Sequence, residues 1–249
     1  MPSYLYHIYF ADQVYRKLSA ILPLDKIQFM SGNLIPDLTT DFKAEKKYSH
    51  YRKDASVEGF FVPDMVQVKK DLFEPQNPII LGMYSHLYLD YHFIEEFLIP
   101  EFVWDYENMK VINPRNKKSW DAKTFFSHQG MYGSYTEINH LLLKNGQVSH
   151  ELLNEIPTEL PETGIAVFDD RREKTWRDEL TGYLAQKKDY TGDIFDYERL
   201  CAFIEKCADQ FVEEFKKMTS SQESTNFLKK ALPIGLAALA GFLLLGKKL

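Results

Sequence analysis

The sequence predicts a mainly α protein, one helical domain followed by an apolar C-terminal helix. Apolar residues recur at helical spacing through most of the chain, and strand signals are scarce. With 45% apolar and 14% aromatic residues among 249, one large domain can bury its core without disulfide staples. The expected organisation is a helical domain over 1–218, a polar linker over 219–228 and an apolar tail over 229–249.

The first helix is expected from near Ser3, with His7, Ala11, Val14 and Leu18 on its apolar side and Asp12 and Arg16 turned outward. Asp37 follows Pro36 in a glycine-containing loop, where an aspartate also suits an Asx turn or a helix cap. A second strong helix begins at Asn77, a good cap, with Pro78 in the first helical position. Its stripe is Ile79, Met83, His86, Asp90, Phe93 and Phe97, so His86 and Asp90 sit where core residues belong.

Further helices are expected over 119–128, 133–144, 171–188 and 194–218. Residues 164–168 read equally as a short strand or as loop after Pro157 and Pro161. Cys201 and Cys207 fall in a helical stretch as small core residues rather than a disulfide pair.

A formal charge of −6 disfavours general nucleic-acid binding, which rewards excess Lys and Arg. Locally, Lys43, Lys46, Lys47, Arg52 and Lys53 surround His50, as a solvated loop or as an attractor of anions.

His86 and Asp90 are four residues apart, so both can reach one ion from one helix face. Burying the ionised carboxylate costs several kcal/mol unless it is compensated, by a cation or by hydrogen bonds to the histidine. Imidazole and carboxylate together are the donor set of catalytic zinc sites. His92, about 200° around from Asp90, should face elsewhere. Glu137 and His140 are close enough on a helix to share a metal, whereas His128 and His150 read as surface or packing residues.

Four segments taken in order carry a resemblance: Met1-Pro2-Ser3 with His7 and Phe10-Ala11; residues 30–37, MSGNLIPD; residues 47–51, KYSHY; and residues 81–90, LGMYSHLYLD. Over roughly residues 1–100 the chain resembles the bacterial zinc-dependent phospholipase C family, relatives of the single-strand-specific fungal nucleases. The resemblance implies a helical domain whose cleft holds zinc ions and hydrolyses phosphodiesters of phospholipids or nucleic acids. Carried over by position, Asp37, His50, His86 and Asp90 would hold one zinc, Asp90 would bridge toward a second near His7, and Asp37 would double as general base. The family's third zinc uses two histidines and a glutamate beyond Asp90, a spacing absent here, so two ions are expected. Secreted members also ligate metal through an amino terminus freed by signal cleavage, and this chain shows no signal peptide.

The expected activity is therefore a phospholipase C-like phosphodiesterase acting on a phospholipid or another phosphate ester. A related nuclease, or an inactive membrane-anchored scaffold, stands as the alternative. The tail sets an apolar run over 231–245 between Lys229-Lys230 and Lys247-Lys248. As a helix it would extend about 22 Å against a hydrocarbon layer of roughly 30 Å, a gap that lysine snorkelling and local thinning narrow. A C-terminal anchor at the cytoplasmic side of the membrane is the expectation, with a buried terminal helix as the other reading.

Overall fold

The structure is a computed structural model that describes residues 3–41, 46–186 and 191–220. It is mainly helical, and the chain divides into two compact units, Met1–Asp209 and Gln210–Leu249. The expected linker from 221 onward and the apolar tail lie outside the described residues. Among the described residues, no helix is long and apolar enough to cross a membrane.

The first unit is built around two buried helices. Helix α1 (Tyr4–Leu18) follows Ser3, whose backbone is extended as an N-cap requires but whose hydroxyl donates to Asn139 Oδ1 (2.5 Å) instead of capping. Helix α2 (Lys26–Leu34) starts where the Asp25 carboxylate accepts from Gln28 N (2.9 Å). It runs straight into a 3₁₀ turn, Ile35–Leu38, so residues 32–37 are helical and not the loop expected from Gly32 and Pro36. Pro36 falls in the first turn of that 3₁₀ segment, where the missing N–H costs nothing.

A hairpin of β1 (Arg52–Asp54) and β2 (Phe61–Pro63) leads to helix α3 (Met65–Leu72). Helix α4 (Pro78–His92) is capped by Asn77, whose side chain accepts from Ile80 N (3.3 Å), and Pro78 occupies its first turn as the sequence predicts. It is not a one-stripe amphipathic helix, because every residue from Ile80 to Asp90 is buried. Helix α4 continues as a π-helical segment, Phe93–Leu98, and a short turn α5 (Ile99–Glu101).

The closest contact in this core is between α2 and α4. A Cβ on Gly32 would lie 2.0 Å from the Ile79 carbonyl oxygen, and one on Gly82 would lie 2.2 Å from that of Phe29. Backbone thus meets backbone at two points, which fixes the register of α4 against α2 and of His86 against Asn33.

Beyond α5 a three-stranded antiparallel meander is formed by β3 (Val103–Asp105), β4 (Lys110–Ile112) and β5 (Ser119–Asp121). The helix expected over 119–128 is therefore a strand followed by a single turn, α6 (Ala122–Phe125), because Trp120 pairs across to Val111 and Asp121 caps the turn at Thr124 N. Helix α7 (Met131–Lys144) is close to its expected span. Helix α8 (His150–Glu155) precedes the loop around 157–165, and residues 166–169 form a helical turn, α9 (Ala166–Asp169), rather than a strand.

The helix expected over 171–188 is shorter, α10 (Trp176–Leu184). A capping box between Thr175 and Asp178 fixes its start. The preceding residues are diverted to Arg171, which bridges to Thr39, and Arg172 N, which donates to Leu38 O (2.9 Å). Residues 197–220 are helical, and Cys201 and Cys207 are buried free thiols. Asp12 is buried, 3% exposed, and paired with Arg16 (2.7 Å), so only Arg16 of that pair faces outward as expected.

Adding one methyl group where two backbones touch should be costly. Gly82→Ala is expected to lower unfolding free energy by about 3 kcal/mol, read from urea midpoints, while Gly164→Ala, at an open surface turn, should cost less.

Candidate metal centre

Helices α1 and α4, the 3₁₀ turn after α2 and the turn before β1 converge on a buried group of five side chains, His7, Asp37, His50, His86 and Asp90. His7, His86 and Asp90 are 0% exposed, His50 4% and Asp37 8%. The Asp90 carboxylate is central. Its Oδ1 lies 3.4 Å from His7 Nε2, and its Oδ2 lies 3.4 Å from His50 Nε2 and 3.5 Å from His86 Nε2. Asp37 Oδ1 closes the group from the 3₁₀ turn, 3.4 Å from His50 Nε2 and 4.0 Å from His86 Nε2.

Those separations exceed good hydrogen bonds, which place N and O about 2.9 Å apart. Three imidazole nitrogens (His7, His50 and His86 Nε2) and both oxygens of Asp90 consequently have no hydrogen-bond partner among the described residues while fully buried. Five such atoms aimed at one another would be expensive in a finished core. Ligands at about 2.0 to 2.1 Å around a tetrahedral ion are roughly 3.3 to 3.4 Å apart, so the spacing suits a cation between them. The alternative of a satisfied His–Asp hydrogen bond in the core does not describe this geometry.

The outer partners prepare the nitrogens for this. His86 Nδ1–H donates to the Asn33 carbonyl (2.7 Å), which leaves Nε2 with its lone pair toward Asp90. His50 Nδ1 meets the hydroxyl of its neighbour Ser49 at 2.9 Å, with the same consequence when Nδ1 is the donor. The Asn33 amide donates to the His7 carbonyl (3.1 Å) and accepts from His86 N (3.3 Å), tying α1 to α4. His7 and His86 stack face to face, with centroids 3.7 Å apart and planes 6° from parallel.

Charge is arranged consistently. Burial, with His86 beside it, pushes His7 down to about 4; burial, with Lys46 beside it, pushes His50 down to about 4. Both imidazoles are therefore neutral near pH 7, the form that can ligate. Burial pushes the Asp37 carboxyl up, but Lys46 and then His86 and His50 outweigh it and hold it well below the usual carboxylate range. Burial of Asp90 is likewise outweighed, by His86 and His7.

The structure brings together all five residues that the sequence selected. It does not join Glu137 and His140 to any metal-holding group among the described residues. Glu137 accepts from Thr191 N (3.4 Å) and His140 Nε2–H donates to Gln186 O (3.2 Å). His92 turns away, as expected, to bond Glu96 (2.6 Å), and His128 and His150 are exposed.

Asp37, His50 and Asp90 form part of the wall of an open cavity of about 830 Å³. Two contacts there are visible only in the fold. Lys46, picked out only as one of a basic run, pairs with Asp37, in a turn that Lys46 (φ 58°) and Tyr51 (φ 48°) close in left-handed conformations. Arg172, 135 residues away, donates to the Asp37 carbonyl and pairs with Glu179 (2.6 Å), which also accepts from Tyr4 OH (2.7 Å). The first joins residues nine apart through that turn, and the second joins segments far apart in sequence.

Titration with Zn²⁺ followed by thermal unfolding checks the geometry. Wild type is expected to gain thermal stability as ligand binding to the native state requires, His86→Ala should lose that gain, and His92→Ala should keep it.

Comparison with models of known protein families, with curated proteins and with solved structures finds no match to this chain.

Proposed function

We propose that this protein is a zinc-dependent hydrolase of phosphate esters, a phospholipase C-like phosphodiesterase on the helical fold that its first hundred residues resemble. The observation that carries the reading is the set of unpartnered, mutually facing donor atoms on His7, His50, His86 and Asp90, spaced as ligands of one or two cations. Asp37, His50, His86 and Asp90 Oδ2 would hold the first ion, and His7 with Asp90 Oδ1 would hold the second. When bound, zinc supplies Lewis-acid stabilisation of phosphoryl oxygens and acidifies the attacking water.

The chain's own residues account for the rest. Asp37 is at the edge of the group and on the cavity wall, where its carboxylate can accept a hydrogen bond from water and orient it for in-line attack. Lys46 and Arg172 fix that carboxylate and its backbone from two sides. Cations on the cavity wall, among them Lys46, Arg52 and Lys174, favour an anionic substrate, and Phe60, Phe126 and Tyr132 offer apolar surface to the group it carries.

The apolar C-terminal run in the sequence favours a lipid as that group. The same aromatic rings could stack on bases, which supports a single-strand nuclease as the second reading.

Parallel assays of zinc-loaded protein on short-chain lecithin, bis-p-nitrophenyl phosphate and single-stranded DNA test the proposal. Turnover of the first two with little on DNA is expected, and Asp37→Asn should lose on the order of 10²-fold or more in kcat. Absence of turnover on all three by protein that holds zinc would contradict it.

A further inference from the structure

One residue of the cavity wall carries a buried hydroxyl that no described residue satisfies. Tyr135, on α7, is 6% exposed and lines the same cavity as Asp37, His50 and Asp90, yet its hydroxyl has no hydrogen-bond partner among the described residues. Its ring cannot swing to find one. It lies flat on Phe195, with centroids 5.5 Å apart and planes 4° from parallel, and the Tyr6 ring meets it edge-on at 5.5 Å. Ser31 and Thr136 also carry buried hydroxyls without partners among the described residues, but neither lines the cavity.

A buried hydroxyl left without a partner is destabilising, and a phenylalanine would fill the same aromatic stack without that cost. Asn139, one helical turn further along α7, lines the cavity as well. Its amide oxygen is engaged by Ser3, which leaves the nitrogen end as the donor. A hydroxyl and an amide at i and i+4 thus share one face of α7, and both residues line the cavity that Asp90 also lines. Burial first, then Tyr132 and Asp90, hold the Tyr135 hydroxyl well above its ordinary range, so it retains its proton and can donate.

We infer that Tyr135 is a substrate-contacting residue, whose hydroxyl donates a hydrogen bond to a non-bridging oxygen of a phosphoryl group seated over the His/Asp cluster. The inference rests on the phosphate-ester reading above and adds to it a donor from a different element. Zinc would draw on phosphoryl oxygens from the α1 and α4 side, and Tyr135 would meet one from α7. No proton is transferred by Tyr135, and no bond to it forms.

The test uses the full-length zinc-loaded protein and inorganic phosphate as probe, with Tyr135→Phe as the variant because it removes one oxygen and keeps the stacked ring. Zinc content, thermal stability and the Kd for phosphate are measured on both proteins. Unchanged zinc content, a Tm equal to or above wild type and a Kd weakened about tenfold are expected, with a matching loss in kcat on bis-p-nitrophenyl phosphate.

A variant Kd within twofold of wild type, or zinc-loaded wild type that does not bind phosphate, overturns the role of Tyr135 alone. A lowered Tm with an unchanged Kd assigns the hydroxyl to structure and overturns it also. Wild type that retains no zinc removes the phosphate-ester reading and this inference together.

Discussion

The buried carboxylate of Asp90 is the constraint from which the rest of this molecule follows. A negative charge at the centre of a helical core is tolerated only if something positive or strongly polar answers it on every side. Three imidazoles face it, each from a different segment, and none approaches closely enough to satisfy it by a hydrogen bond. The helices α1 and α4 and the turn before β1 hold these groups 3.4 to 3.5 Å from the carboxylate, separations that suit ligands of a shared cation.

What holds them there is mostly backbone. Gly32 and Gly82 allow α2 and α4 to touch, and this contact sets the Asn33 carbonyl against His86 Nδ1 at 2.7 Å. The 3₁₀ turn that follows α2 carries Asp37 to the opposite side of the group. Arg172 reaches in from the segment before α10 to hold the same turn through its carbonyl. Local caps, close glycine packing and one long-range arginine thus converge on the position of a single carboxylate oxygen. Such support from outside is what a site needs when its inner residues repel one another in the absence of a ligand.

Much of this was legible in the sequence, and the reason is local. His86 and Asp90 are one turn apart, Asn77-Pro78 announces the helix that carries them, and His7 lies on the buried side of α1, so spacing alone places each on a core face. Convergence of His50 and Asp37 on that helix was not in the spacing and came only through a resemblance. Errors arose where tertiary context overrode a local signal. Gly32 and Pro36 read as loop formers, but glycine here serves helix contact and proline the first turn of a 3₁₀ segment. Trp120 and Asp121 fit a helical pattern, yet pairing with β4 drew them into a strand. Periodicity places Asp12 outside, but α1 is buried on every side from Tyr4 to Asp12 and exposed only further along, at Arg16. Arg172 had no sequence signal, and Lys46 showed only as part of the basic run around His50, since the carboxylate that each supports is brought to it by the fold.

The most direct measurement of the central claim is the X-ray absorption spectrum of the zinc-loaded protein at the zinc edge. Zinc held by the His/Asp group is expected to show a shell of nitrogen and oxygen only, at about 2.0 to 2.1 Å, with the outer-shell pattern of several imidazoles that His86→Ala diminishes. A zinc environment of water oxygens without imidazole scattering, or one unaffected by loss of His86, would contradict it.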